Sequence, residues 1–452
     1  MSSSAAAPSG ADTDFFRPLT ENPFLRLATV FIFYIFEGVP MGMFYIAVPA
    51  WLANEGASAL EIAAVVSAFS LPWSLKLVNG FFMDRYTYLP MGRRRIWIIG
   101  SQSLMALGLL ACAAIDPGAR DIAMLSALAF VISAATTFQD VSIDSLVVDI
   151  MDEKDQAKAG GIMFGAQILG MSGATAATGY LLDRYGAQMA FGATAAFLLL
   201  GVLFAVALRE RPGERRFPWT PGEAHPRNID IKIGAWLPLL KQSLKAILGP
   251  ASVIILPFLL LRNVTGGTND VFNPILAANY VGWSTTEFTA VNSIVQLGVG
   301  VIGLFAGGWI VVKLGSRTVM AACFALLAVE FLAIGLLQAE WSEPLMLTAI
   351  IWGSELFGIF LAIAMIPLAM QICTPAVAAT QFTIYMAVAN FGRPVGAWIA
   401  GLLADDSPQT MYFIVAALMA GSAVGAAILL RHAVPRKADV PPPFGIPSPV
   451  ED

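Results

Sequence analysis

Apolar runs of about 20 residues, the length needed to cross about 30 Å of hydrocarbon, recur from one end of this 452-residue chain to the other. No other feature narrows the possible folds as far. A backbone inside a bilayer must satisfy its own hydrogen bonds, which leaves helices or closed barrels. The runs lack the polar–apolar alternation of a barrel strand, so the chain reads as an all-α membrane protein. Helices are expected near 25–52, 59–83, 95–115, 121–147, 158–182 and 188–208. After a gap, more are expected near 250–280, 286–312, 318–338, 344–373, 378–404 and 410–431, making twelve transmembrane helices in two six-helix bundles. Only 13% of residues are charged, against about 25% in a soluble globular chain.

With the N-terminus in the cytoplasm, almost every Lys and Arg falls on the cytoplasmic side. The exceptions are Arg120 and Arg184 outside, and Lys76, Arg262 and Arg393 within spans. This bias predicts a multi-pass protein of the bacterial inner membrane with both termini cytoplasmic. Met1 to Asp14 is small, polar and acidic, and does not read as an export signal. Cys112, Cys323 and Cys373 lie in apolar runs and read as buried hydrophobes. His225 and His432 lie far apart in polar segments. No metal site, cofactor or nucleophile–base constellation is expected, no glycine loop suits a phosphate, and the chain does not read as an enzyme. No nucleic-acid partner is expected, and the chain reads as a monomer.

The segment 209–249 is the one long polar stretch between the apolar groups. It divides the chain into a tail 1–24, a bundle 25–208, this cytoplasmic linker, a second bundle 250–431 and a tail 432–452. Within the linker, Ile231 to Leu248 mixes Ile, Trp and Leu with Lys232, Lys241 and Lys245, which suits an interfacial helix or a plain linker. The bundles echo one another. Gly179-Tyr-Leu-Leu-Asp183 and Gly401-Leu-Leu-Ala-Asp405 occupy matching positions. So do Gly80-Phe-Phe-Met-Asp84-Arg85 with Gly92-Arg93-Arg94-Arg95, and Gly308-Trp-Ile-Val-Val-Lys313-Leu-Gly315-Ser-Arg317. Parallel repeats of this kind belong to the major facilitator fold.

Seven ionisable side chains interrupt the apolar runs: Glu37, Lys76, Asp140, Asp144, Arg262, Glu355 and Arg393. A charge at a helix centre costs roughly 2.5–3.5 kcal/mol on insertion scales, so each must face protein or a water-filled cavity. Glu37, near the middle of the first helix, is a candidate proton carrier, because removal from water favours a neutral carboxyl. Asp140 and Asp144 stand one turn apart on one helix face at a depth matching Lys76, so a Lys76–Asp pair is expected, as a clasp or as a coupling switch. Gln139 points to another face and is expected to bond a neighbouring helix. Arg262 and Asp270 lie roughly on one side of a helix interrupted by Asn263-Val-Thr-Gly-Gly-Thr-Asn269, which predicts broken helix there. Glu355 and Arg393 share a mid-membrane depth and could pair. The Arg393 fork also suits a carboxylate or phosphate. Glu330 is expected to face other protein. Asp84 is expected to gate by accepting backbone amides at a neighbouring helix start, with Arg85 beside it and Arg93 to Arg95 setting topology. Among the aromatics, Tyr45 and Trp352 are the candidates to line a binding site.

Three motifs carry a resemblance. Ser70-Leu-Pro-Trp-Ser-Leu-Lys76 with Met83-Asp-Arg-Tyr-Thr-Tyr-Leu-Pro-Met-Gly-Arg-Arg-Arg95, Thr137-Phe-Gln139-Asp140-Val-Ser-Ile-Asp144, and Gly392-Arg393-Pro-Val-Gly396 are similar to the AmpG-like branch of the major facilitator superfamily. The resemblance implies proton-coupled uptake of a muropeptide or a related polar, anionic solute, with acetyl-coenzyme A or siderophore permeases as relatives. Glu37, in Phe36-Glu37-Gly38, replaces the small polar residue usual in muropeptide carriers. The expected function is secondary active transport of a small molecule with protons through the lipid bilayer. The proton-coupling candidates are Glu37, Asp140 and Asp144. The substrate candidates are Tyr45, Lys76, Arg262, Asp270, Trp352, Glu355 and Arg393. A proton-antiport exporter and a non-transporting membrane sensor or assembly partner are the alternatives.

Overall fold

The computed structural model describes residues 17–230 and 236–433. The outer parts of both expected tails, and the start of the expected interfacial helix at 231–235, lie outside the described residues. Within them every regular element is helical. In chain order these are α1 (Pro23–Asn54), α2 (Ala59–Ser74), α3 (Lys76–Arg85), α4 (Arg95–Ile115), α5 (Ile122–Ile150) and α6 (Glu153–Ala207). The linker supplies α7 (Trp236–Ile247). There follow α8 (Pro250–Val281), α9 (Thr285–Leu314), α10 (Ser316–Leu336), α11 (Pro344–Ile372), α12 (Ala378–Leu403) and α13 (Pro408–Ala433). Among the described residues nine helices are long and apolar enough to cross a membrane, or ten if the bent α2–α3 pair is one span. This is short of the twelve expected. The long α6 counts once, although Gly186 (φ 80°, ψ 176°) interrupts it between the two helices expected there, and α12 is not in the count.

The breaks have local causes. Pro72 has no N–H and crowds the carbonyl one turn back. The chain bends by 49° at Leu75, and α3 restarts with Lys76 as its first residue. Asn263 (φ −98°, ψ 0°) interrupts α8 just after Arg262. The break is a single residue: Val264–Ile275 is helical, so the expected unwinding of 263–269 is corrected to a kink. Pro40 and Pro274 precede π-helical turns at Met43–Ala47 and Leu276–Val281, one in each half.

Glycines bring helices to backbone contact, as small residues do in membrane bundles. A Cβ on Gly170 of α6 would overlap the Ile35 carbonyl of α1, and one on Gly392 of α12 would overlap the Leu260 carbonyl of α8. The spacing from 170 to 392 equals that from 179 to 401, so the repeat seen in sequence is also a repeat of packing.

The linker marks one face of the molecule. On the opposite face the halves are joined by a matched pair of contacts. The Asp405 carboxylate accepts the Ala59 amide (3.0 and 3.1 Å), and Asp183 accepts the Thr286 hydroxyl (2.6 Å). Each acid meets the first turn of a helix in the other half, where the dipole favours an anion. Ser58/Glu61 and Ser284/Glu287 form capping boxes on those same two helices. Nearer mid-depth, Ser172 and Ser293 exchange hydroxyl-to-carbonyl bonds (2.8 and 2.9 Å), and Asn390 donates to the Trp73 carbonyl (3.2 Å).

Candidate functional site

The intramembrane charges fall into two groups, one in each half. In the N-terminal half the bend at Leu75 delivers Lys76 to Asp140 on α5, and the two form a direct ion pair. Asp144, one turn on, stands 3.8 Å from the same ammonium and accepts the Tyr34 hydroxyl at 2.5 Å. Asp140 is buried, while the Asp144 side chain keeps 48% of its exposure. Glu37 is fully buried and accepts the Gln167 amide at 2.7 Å through one oxygen, while the other has no partner. It lies within electrostatic reach of Asp140, Lys76 and Asp144. Gln139 donates to the Phe33 carbonyl at 2.9 Å, tying α5 to α1. One cation therefore faces three acids.

In the C-terminal half the expected Glu355–Arg393 pair is not formed. Arg393 instead holds Asp270 with two bonds (2.5 and 2.9 Å), and its guanidinium stacks on the Tyr45 ring with 3.6 Å to the centroid. Backbone contacts at Gly392 and Gly267 bring α12 against α8, so Arg393 stands beside the helix that carries Asp270. Among the described residues Arg262 has no counter-ion, and its Nε is buried without a hydrogen bond. Both arginines, with Asp270 and Glu355, line a cavity of about 260 Å³ between the halves. Its N-terminal wall is apolar, made of Met41, Phe164, Ile168 and Met171. Beyond Asp270 and Glu355, away from the linker, Tyr45 helps line a chamber of about 20 Å³, room for a single water.

Trp352 packs against Gly298 and lines neither space, so it is corrected from binding residue to packing residue. Lys76 belongs to the N-terminal group and is likewise absent from the cavity lining. Glu330, expected against other protein, accepts the Ser354 hydroxyl within its own bundle at 2.8 Å.

Sequence reasoning passed over the uncharged amides. Asn269 and Gln296 line the cavity, and Asn269, Asn273 and Asn292 line the chamber. Their spacing was a usable signal. Asn269 with Asn273, and Asn292 with Gln296, are one turn apart, so each pair shares a helix face.

Asp84 also departs from expectation. It accepts the guanidinium groups of Arg94 (2.8 Å) and Arg93 (3.4 Å). The neighbouring helix start it was expected to cap is filled by Glu210 of the linker, whose carboxylate accepts the amides of Arg93 (2.9 Å), Arg94 (2.6 Å) and Arg95. Arg85 packs over Phe81 at 5.4 Å. Nearby, Glu214 accepts the Arg211 amide (2.9 Å) and the Asn228 side chain (3.2 Å). Burial, with Glu210 close by, pushes the Glu214 carboxyl up to about 8.

A family model described as Major Facilitator Superfamily matches residues 30–267 and 258–451. The chain belongs to the Major Facilitator Superfamily. Its relatives include an anhydromuropeptide permease of Escherichia coli K12, 23% identical over 82% of this chain and 74% of the relative. A folate-biopterin transporter of Synechocystis is 29% identical over 42% of this chain and 38% of its own length. A peptide transporter POT crystallised with sulfate superposes with a TM-score of 0.67 at 14% identity, over 93% of this chain and 96% of that one. The nucleoside transporter NupG superposes with a TM-score of 0.65 at 14% identity, over 90% and 99%. The fold is that of a transporter built from two helical halves around a central cavity.

Proposed function

We propose that this chain is a proton-coupled secondary transporter for an anionic, amide-bearing solute such as a muropeptide, taken up across the bacterial inner membrane. Arg262 carries the reading. A guanidinium without a counter-ion at membrane depth is costly unless an anion joins it, and it borders a cavity between the halves. The named relatives support this solute class, since muropeptides and folates both present carboxylates beside amides. Arg393 is engaged with Asp270, which leaves Arg262 as the docking cation.

The coupling ion fits the N-terminal group. A proton on Glu37, Asp140 or Asp144 relieves the excess of acid around Lys76, and its loss restores attraction to the ammonium. Rocking of the halves would alternate access to the cavity, with the Asp183 and Asp405 contacts closing the far face. Twelve crossings, a monomer and cytoplasmic termini complete the reading. Proteoliposomes with an imposed proton gradient test it. Radiolabelled anhydromuropeptide should accumulate in wild type and not in Arg262→Gln. Equal accumulation in both would overturn the assignment.

A further inference from the structure

We propose that Gln296 and Asn269 form a hydrogen-bonding shelf that recognises an acylamino group of the solute beside the anion held by Arg262, an inference that rests on the solute reading above. Gln296 is more than nine-tenths buried, yet neither its Nε2 nor its Oε1 has a partner. Asn269 Oδ1 is likewise buried and unpartnered. Both residues line the same cavity as Arg262.

A buried polar atom without a partner costs about 1–3 kcal/mol, and here three such atoms belong to two residues that line one cavity. A ligand toward which these side chains turn recovers that cost only if it supplies the missing bonds. Gln296 offers a donor group and an acceptor group side by side on a single planar amide. A secondary amide is the complementary group, since its carbonyl accepts from Nε2 and its N–H donates to Oε1. Asn269 Oδ1 adds an acceptor for a further N–H or O–H. The facing wall of Met41, Phe164 and Met171 is apolar and suits the methyl of an acetamide.

This commits the site to N-acylated over free-amine solutes. A free amine would be protonated, could not donate and accept in this pattern, and would lie near the uncompensated Arg262. A site built to hydrogen-bond a group rejects an analogue lacking it far more strongly than an apolar pocket would.

The test uses the full chain in detergent with two ligands that share a carboxylate: N-acetylmuramic acid and muramic acid. Calorimetric titration of wild type should show the acetylated sugar binding at least about tenfold tighter. Gln296→Leu should bring that ratio below about threefold, chiefly by weakening the acetylated sugar. Gln296→Asn, keeping the amide on a shorter arm, should fall between them. Arg262→Gln should weaken both sugars alike. Equal binding of the two sugars by wild type would overturn the shelf while leaving the anion site standing. The same holds if the wild-type ratio persists in Gln296→Leu. Binding of neither sugar by wild type would overturn both.

Discussion

Each half holds a group of intramembrane charges, and the two handle them in opposite ways. Around Lys76 the charges close on one another. The ammonium meets Asp140 and Asp144, Tyr34 bonds Asp144, and Gln167 bonds Glu37. None of these residues lines the cavity, and the group is short of positive charge. Around Arg393 one pair is made with Asp270, while Arg262 and Glu355 are left facing a shared space with unbonded amides. A cluster closed on itself and short of positive charge suits a proton. An open cluster with an unpaired cation, an unpaired carboxylate and unbonded amides suits a solute. On the proposed function, a repeated fold gives its copies different tasks.

The largest expected effect breaks the closed cluster. Lys76→Ala leaves Asp140 buried without its cation, a loss of roughly 3–5 kcal/mol for a buried pair. Expression and thermal unfolding in detergent should fall sharply, and Lys76→Ala combined with Asp140→Asn should recover much of the loss. The same operation on the open cluster should split. Arg393→Gln strands Asp270 and should destabilise the protein, whereas Arg262→Gln removes an unpaired cation and should leave the melting temperature unchanged or raised. Arg262→Gln should still weaken anionic solute binding by roughly 1.5–3 kcal/mol, the worth of a hydrogen bond to a charged group. Equal stability losses at both arginines would erase the contrast.

How far the sequence revealed this contrast depended on local geometry. The Lys76–Asp140 pair was legible because depth and helical spacing alone bring the groups together. The Asp270–Arg393 pair was not, because it depends on how α12 is turned against α8 by backbone contact at Gly392 and by the single-residue kink at Asn263. Asp84 was misplaced for a related reason. The linker looked featureless, yet its Glu210 takes the amides that Asp84 was expected to cap. The cavity amides were missed because attention to charge passes over Asn and Gln, which are as often packing residues as ligands.

A smaller effect belongs to the linker. The Glu214 carboxyl sits at about 8 in the folded linker and near the ordinary range of about 4.3 when released. Between these values the released form has lost a proton that the docked form keeps. Docking should therefore be strongest below about pH 5 and weaken as pH rises toward about 8. Hydrogen-exchange protection over 209–230, taken relative to the intrinsic amide rate at each pH, should fall across that window in wild type. In Glu214→Gln it should lose this pH dependence.

The division of labour between the halves is tested most directly by comparing exchange with accumulation in proteoliposomes. Solute counterflow without a gradient reports binding and rocking, and uptake under an imposed proton gradient reports coupling. Glu37→Gln, or Asp144→Asn, each of which leaves the Lys76–Asp140 pair intact, should keep counterflow near the wild-type rate and lose gradient-driven accumulation. Arg262→Gln should lose both. If the N-terminal variants all accumulate solute like wild type, or if Arg262→Gln keeps full counterflow, the assignment of protons to one half and solute to the other is wrong.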